Sequence, residues 1–220
     1  MKERILVTGG TGYIGSHTVV ELQNSGYEVI IVDNLSNSRA DVVDNIEKIT
    51  GIRPEFEQVD CLDYAGMDAV FTKYPGIKGI IHFAASKAVG ESVQKPLLYY
   101  RNNLVSLINL LELMPKHNVP GIIFSSSCTV YGQPDKLPVT EEAPIKKAES
   151  PYGNTKQINE DVYQVLDFDD TQEEEFAKKG FITAPDSLQI TDDDGNVVWN
   201  MDNYDFVRDA GIGFIITHFV

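Results

Sequence analysis

The sequence predicts an α/β fold, a doubly wound parallel sheet with helices on both faces, spanning residues 1–165. Three observations lead there. Short strand-like runs alternate with helical patterns at intervals of about 30 residues, the length of a βαβ repeat. The strand-like runs are apolar almost without a break, as strands must be when helices cover both faces of their sheet. Near Val165 the alternation stops and the composition changes. Right-handed crossovers between successive parallel strands wind such a chain over both faces.

RILVT (4–8) reads as the first strand, followed by a glycine-rich turn and a helix from about Tyr13. EVIIVD (28–33) is the second strand, with a helix near 40–49 behind it. FEQVD (56–60) and a helix near 64–73 form the third unit, and GIIHFAA (79–85) is the fourth strand. A long amphipathic helix through PLLYYRNNLVSLINLLELM (96–114) leads to the strand GIIFSSS (121–127), and a further helix is expected after Pro151. Beyond Val165 no βα unit continues. Residues 166–210 read as an acidic insert: a helix through EEEFAKKG, then a hairpin of LQIT and NVVW around Asp193, Asp194 and Gly195, whose Asp-Gly pair suits a tight turn. The three consecutive aspartates resemble a calcium loop, but setting Gly195 at its sixth position puts Ile190 at the first ligand position, so the hairpin is the better reading. Residues 211–220, GIGFIITHFV, read as one terminal buried strand.

Charge divides the chain at the same place. Residues 1–165 hold 20 acids and 15 bases, whereas residues 166–220 hold 13 acids and 3 bases, so the last quarter carries most of the net −15. That excess excludes nucleic acid and anionic membrane as partners, because both need clustered Lys and Arg to displace counterions. The N-terminal apolar run meets glycine after five residues, too short for a signal peptide or a membrane span, which points to a cytoplasmic protein. Cys61 and Cys128 form no CxxC pair, and His17, His82, His117 and His218 show no ligand spacing. Neither a disulfide nor a metal site is expected.

Gly9, Gly12 and Gly15 stand directly after the first strand and at the start of the first helix. Glycines there let the backbone turn sharply, let a pyrophosphate reach the helix N-terminus, and let the helix pack closely on the sheet. A merely tight βα turn is the competing reading. Asp33 ends the second strand, where a carboxylate can hold the adenosine ribose hydroxyls and would repel a 2′-phosphate, so NAD is favoured over NADP. Tyr152 and Lys156 are four residues apart in the helix after Pro151 and project from one face. An ammonium beside a phenol stabilises phenolate, which predicts a Tyr152 pKa drawn toward neutrality and a tyrosine able to act as general base. Ser127, at the end of the fifth strand, has two readings: a hydrogen-bond partner for a substrate hydroxyl, or a polar strand terminus.

The stretches VTGGTGYIGSH, VDNLSNS, HFAASKAVGESVQKPLLYYRNN, FSSSCTVYG and SPYGNTK together resemble the NAD-binding half of the UDP-glucose 4-epimerases, extended members of the short-chain dehydrogenase/reductase family, over residues 1–163. The resemblance implies a Rossmann-type domain with a cofactor cradle of Gly9, Gly12, Tyr13, Ile14, Gly15, Asp33, Asn34 and Asn37, and with Asp60 and Cys61 near the adenine. It places Phe83, Ala84, Lys87, Asn102, Tyr152 and Lys156 along the dinucleotide, and turns Lys87, Ser127 and Tyr152 toward the sugar. As residues alone, Lys87 and Asn102 read equally well as solvated loop and helix positions. The implied reaction is epimerisation at C4 of a UDP-hexose in galactose metabolism: Tyr152 takes the proton of the 4-hydroxyl, NAD⁺ takes the C4 hydride, and the 4-keto sugar turns over before the hydride returns. NAD would then be a retained cofactor. A homodimer is the candidate assembly.

Relatives of this kind continue into a C-terminal domain that grips the uridine diphosphate, whereas this sequence stops at Val220. The expected consequence is feeble turnover, and the alternative function is a truncated NAD-binding module without catalytic activity. Residues 171–209 resemble instead the lead-in segment of alkyl sulfatases of the metallo-β-lactamase type. The His/Asp cluster that binds metal in those enzymes is not in this sequence, so no catalytic residue carries over. On this reading the chain is chimeric, joined near Val165.

Overall fold

The computed structural model describes residues 2–140, 143–165, 189–191, 197–200 and 214–217. Five strands, β1 (Arg4–Thr8), β2 (Glu28–Val32), β3 (Glu55–Glu57), β4 (Ile77–His82) and β5 (Ile122–Ser125), lie parallel in the order β3-β2-β1-β4-β5. The helices α1 (Tyr13–Asn24), α2 (Asp41–Thr50), α3 (Tyr64–Lys73) and α5 (Pro96–Lys116) run between them, with a short α4 (Val89–Gln94) before α5 and α6 (Pro151–Val165) after β5. This is the expected α/β sheet, wound over both faces.

Side-chain alternation along each strand shows the double winding directly. Leu6, Ile30 and Ile80 pack with Met67 and Phe71 of α3 and Leu107, Leu110 and Leu113 of α5, whereas Val7, Ile31 and Ile81 pack with Val19 of α1 and Val43 and Ile46 of α2. One residue along a strand moves a side chain from one core to the other, which is why the strands are apolar throughout. Helix ends follow local chemistry. Asp63 caps α3 by accepting from the amide of Gly66 at 3.0 Å, Gly51 ends α2 in the left-handed conformation at φ 73°, and Pro96 opens α5.

Several expected boundaries move. The third strand is three residues long, and GIIFSSS leaves the sheet at Ser125, because the Ser127 side chain accepts from the Thr129 amide and starts a 3₁₀ turn at Cys128–Tyr131. Both α4 and this turn were not expected from periodicity; each is too short to show a helical repeat.

Beyond α6, β6 (Gln189–Thr191) and β7 (Val197–Asn200) pair antiparallel with Ile190 opposite Trp199, and β8 (Phe214–Thr217) joins the main sheet parallel to β5. The expected acidic helix and the Asp193–Gly195 turn lie outside the described residues.

Strand order reverses between β1 and β4: the chain builds outward through β2 and β3, then crosses back to β4. In open parallel sheets ligands bind outside the C-terminal ends of the strands at such a switch point. The site residues expected above come from the loops after the strands and from the first two turns of α1, α5 and α6.

Candidate functional site

The turn after β1 is closed tightly. The Gly9 amide donates to the Val32 carbonyl at 2.8 Å and the Gly12 amide to the Gly9 carbonyl at 3.0 Å. A Cβ on Gly9 would lie 2.8 Å from the Ala84 amide nitrogen, with the backbone already at φ 70°, and one on Gly15 would collide with the carbonyl oxygen of Gly9. Glycine is required at these positions because backbone meets backbone. Gly12 occupies the N-cap of α1 and brings no side-chain oxygen to the first turn, which also contains no acid. The amides of that turn, with the positive end of the helix behind them, remain for a ligand phosphate. A dinucleotide therefore fits the cradle. Tyr13 and Ile14 stand exposed in the same turn.

Asp33 follows β2 and faces this loop. Its carboxylate accepts from the Thr11 amide at 3.3 Å, the Leu35 amide at 2.9 Å and the Ser38 hydroxyl at 2.9 Å, while Thr11 and Ser38 hydroxyls lie 2.8 Å apart. A fixed carboxylate at the end of β2 suits ribose hydroxyls and opposes a phosphate. Beside it the Asn34 amide donates to Asp60 at 3.0 Å, and Asn37 is exposed. Cys61 is buried, and that burial pushes its thiol up to about 12, with Asp60 and Asp33 adding to the rise. It is a packed, inert thiol.

On the other side of the switch point, Phe83 and Ala84 form the backbone wall against Gly9. Lys87 is exposed, and Asn102 donates to the Ser86 hydroxyl at 3.1 Å. Tyr152 and Lys156 do share one face of α6, and both are buried, as is Ser127. The expected lowering of the tyrosine pKa is corrected by the structure: burial pushes the Tyr152 phenol above its ordinary value, with the Ser127 hydroxyl acting in the opposite sense. The physical reason is the position of Lys156. Its Nζ donates to the Ser125 carbonyl at 2.6 Å, sits 4.5 Å from the Phe124 ring centroid and 6.0 Å from that of Tyr152. The same burial draws Lys156 down to about 7, so at neutral pH much of its charge is gone.

Four residues that the sequence did not single out complete the site. His82 closes β4 with its Nδ1 2.6 Å from the Thr8 hydroxyl, and burial first, then Lys156, depress it to about 3, so it is a neutral bridge between strands. Asn103 accepts from the Ser86 amide at 2.8 Å and donates to the Ser86 carbonyl and to Thr155 at 3.0 Å, tying the loop after β4 to α6. Glu160 accepts from the Ser126 hydroxyl. Tyr99 accepts from the Ala88 amide at 3.1 Å. Asn103 interrupts the apolar repeat of α5, a signal that could have marked it; Glu160 sits four residues beyond Lys156, and that spacing was the available clue.

A model of the family described as GDP-mannose 4,6 dehydratase matches residues 6–170. The chain belongs to this family. The match includes every candidate residue from Gly9 to Lys156. Within this family's wider kin, a UDP-glucose 4-epimerase of Schizosaccharomyces pombe is 52% identical over 164 residues, 73% of this chain and 46% of that protein. The UDP-glucose 4-epimerase of Bacillus subtilis is 52% identical over 162 residues, 74% of this chain and 47% of its own length. Among solved structures, a Bifidobacterium longum UDP-glucose 4-epimerase in complex with NAD⁺ and UDP superposes with a TM-score of 0.72 at 49% identity, over 74% of this chain and 48% of that one. This chain thus spans about half the length of the curated relatives it matches.

Proposed function

We propose that this chain binds NAD at the switch point of its sheet and carries the catalytic groups of a UDP-glucose 4-epimerase, an isomerase acting at C4 of a UDP-hexose. One observation carries the reading: Tyr152 and Lys156 lie buried on one face of α6 with Ser127 beside Tyr152, and the close-packed glycine turn follows β1 at the C-terminal edge of the same sheet. Similarity to proteins crystallised with NAD and with UDP supports the ligands. NAD, when bound, supplies the hydride acceptor and donor. Gly9, Gly12, Gly15 and the first turn of α1 hold its pyrophosphate, and Asp33 its ribose. Ser127 donates a hydrogen bond to the sugar oxygen, and Tyr152 takes that oxygen's proton in its phenolate form, a form that burial makes scarcer at neutral pH. Lys156, with a pKa of about 7, exchanges protons one helical turn away in the physiological range. Charge −15 supports the absence of polyanionic partners, and two unpaired cysteines support a reducing, cytoplasmic setting. An exposed apolar face of α5 bearing Leu97, Val105 and Ile108 supports a homodimer.

A second reading, dinucleotide binding without turnover, is favoured by the extent of the match, 46% of the Schizosaccharomyces pombe protein's length. Binding energy at the nucleotide end positions the reacting sugar, so contacts outside this sequence bear on the rate. Incubation of the purified chain with NAD⁺ and UDP-galactose, followed by proton NMR of the anomeric signals, separates the two. Epimerase chemistry predicts UDP-glucose from the parent and none from Tyr152→Phe. No product from the parent, or equal product from both, defeats it.

A further inference from the structure

Lys156 and Glu160 are both 4% exposed and stand one turn apart on the same side of α6. Two ionisable groups so placed either have their charges met inside the protein or give them up. The Ser126 hydroxyl donates a hydrogen bond to the Glu160 side chain. Lys156 has neighbours on three elements. β5 contributes the Ser125 carbonyl and the Phe124 ring, β4 contributes neutral His82, and α6 contributes Tyr152 and Glu160. Among them Glu160 is the one carboxylate. Burial draws the lysine down to about 7, and Glu160 acts against that burial.

We propose that Glu160 is a positioning residue: anchored by Ser126, its carboxylate is the buried counter-charge that favours the ammonium form of Lys156 against burial and holds the amine toward the Ser125 carbonyl beside the Tyr152 phenol. The role rests on the preceding reading of Tyr152 and Lys156 as the reactive pair, and it acts through Lys156 without touching the sugar or the cofactor. Ser126 and Glu160 link the end of β5 to the middle of α6, so the strand that presents Ser127 and the helix that presents Tyr152 share this buried polar contact.

The test is the titration of Lys156 in the full chain, labelled with ¹³C,¹⁵N-lysine and assigned by the signal lost in Lys156→Met. The parent should titrate near 7. Glu160→Gln, which keeps shape but not charge, should lower that midpoint by about one unit or more, and Glu160→Asp should restore most of it. Ser126→Ala, which leaves the charge and removes its anchor, should shift it in the same direction by less; if Glu160→Gln does not fold, this variant decides. An unchanged midpoint, even with a lowered Tm, means that Glu160 only packs, and overturns the proposal. NAD⁺ titration of the parent by fluorescence runs alongside. Failure of the parent to bind defeats the proposed function, while the lysine titration still decides the role of Glu160.

Discussion

A methyl group added at Gly15 would collide with the carbonyl oxygen of Gly9 and lie 2.8 Å from the Cα of Gly10, both backbone atoms that cannot rotate away. Alanine in a helix is worth about 1 kcal/mol over glycine, and overpacking costs about 1–3 kcal/mol, so helix propensity offsets only part of the clash. The remainder is met by displacement of the turn. Gly15→Ala should therefore lower the Tm and lose at least about tenfold in NAD affinity, some 1.4 kcal/mol, by isothermal titration on the folded variant. Gly90→Ala, where an added Cβ meets nothing within 4 Å, should bind as the parent does. Equal affinities for both variants would remove the glycine turn from the site. At this scale the residue types were legible, because glycine spacing and a Tyr-Lys pair are written in the sequence. The electrostatics were not: whether the lysine charges the phenol depends on how deeply both are buried and on the Ser125 carbonyl, neither of which spacing records.

Elements meet at His82. It ends β4, bonds the Thr8 hydroxyl of β1 and stacks on Phe124 of β5 with ring centroids 6.1 Å apart, so the three strands around the switch point are joined through one neutral imidazole. Its folded pKa is depressed to about 3 from an ordinary 6.5, chiefly by burial. The unfolded chain then binds a proton that the folded chain refuses, so its stabilising contribution is complete above 6.5 and is lost as pH falls from 6.5 toward 3. From pH 7 to pH 5 this amounts to about 2 kcal/mol. Urea unfolding should show that loss in the parent and a flatter profile in His82→Gln; parallel profiles would contradict the assignment. Lys156 acts in a separate window, from about 7 up to 10.5, where stability rises with pH. The strands and long helices were legible from apolar runs and the 3.6 period. Beyond their reach were α4 and the 3₁₀ turn at Cys128, set by a Ser127 side-chain cap and by contacts distant in sequence.

The whole molecule joins a five-strand parallel unit of near-average charge to a strongly acidic segment. Family membership and the likeness to epimerase structures both concern the first part, about 74% of the chain. Of the second part, the described pieces are the β6–β7 pair and β8, which lies along β5 and so covers the edge of the sheet beside Ser125. The charge break at Val165 made the division legible in sequence; the pairing of β8 with β5 rests on contacts across some ninety residues, which no local pattern encodes. The central claim is that the glycine turn, Asp33 and the Tyr152–Lys156 face form one dinucleotide site in this chain. Its most direct test is the amount of NAD bound per folded chain, read by equilibrium dialysis with the fold checked by circular dichroism. The account predicts saturation at one NAD per chain, and a folded chain that takes up none would contradict it.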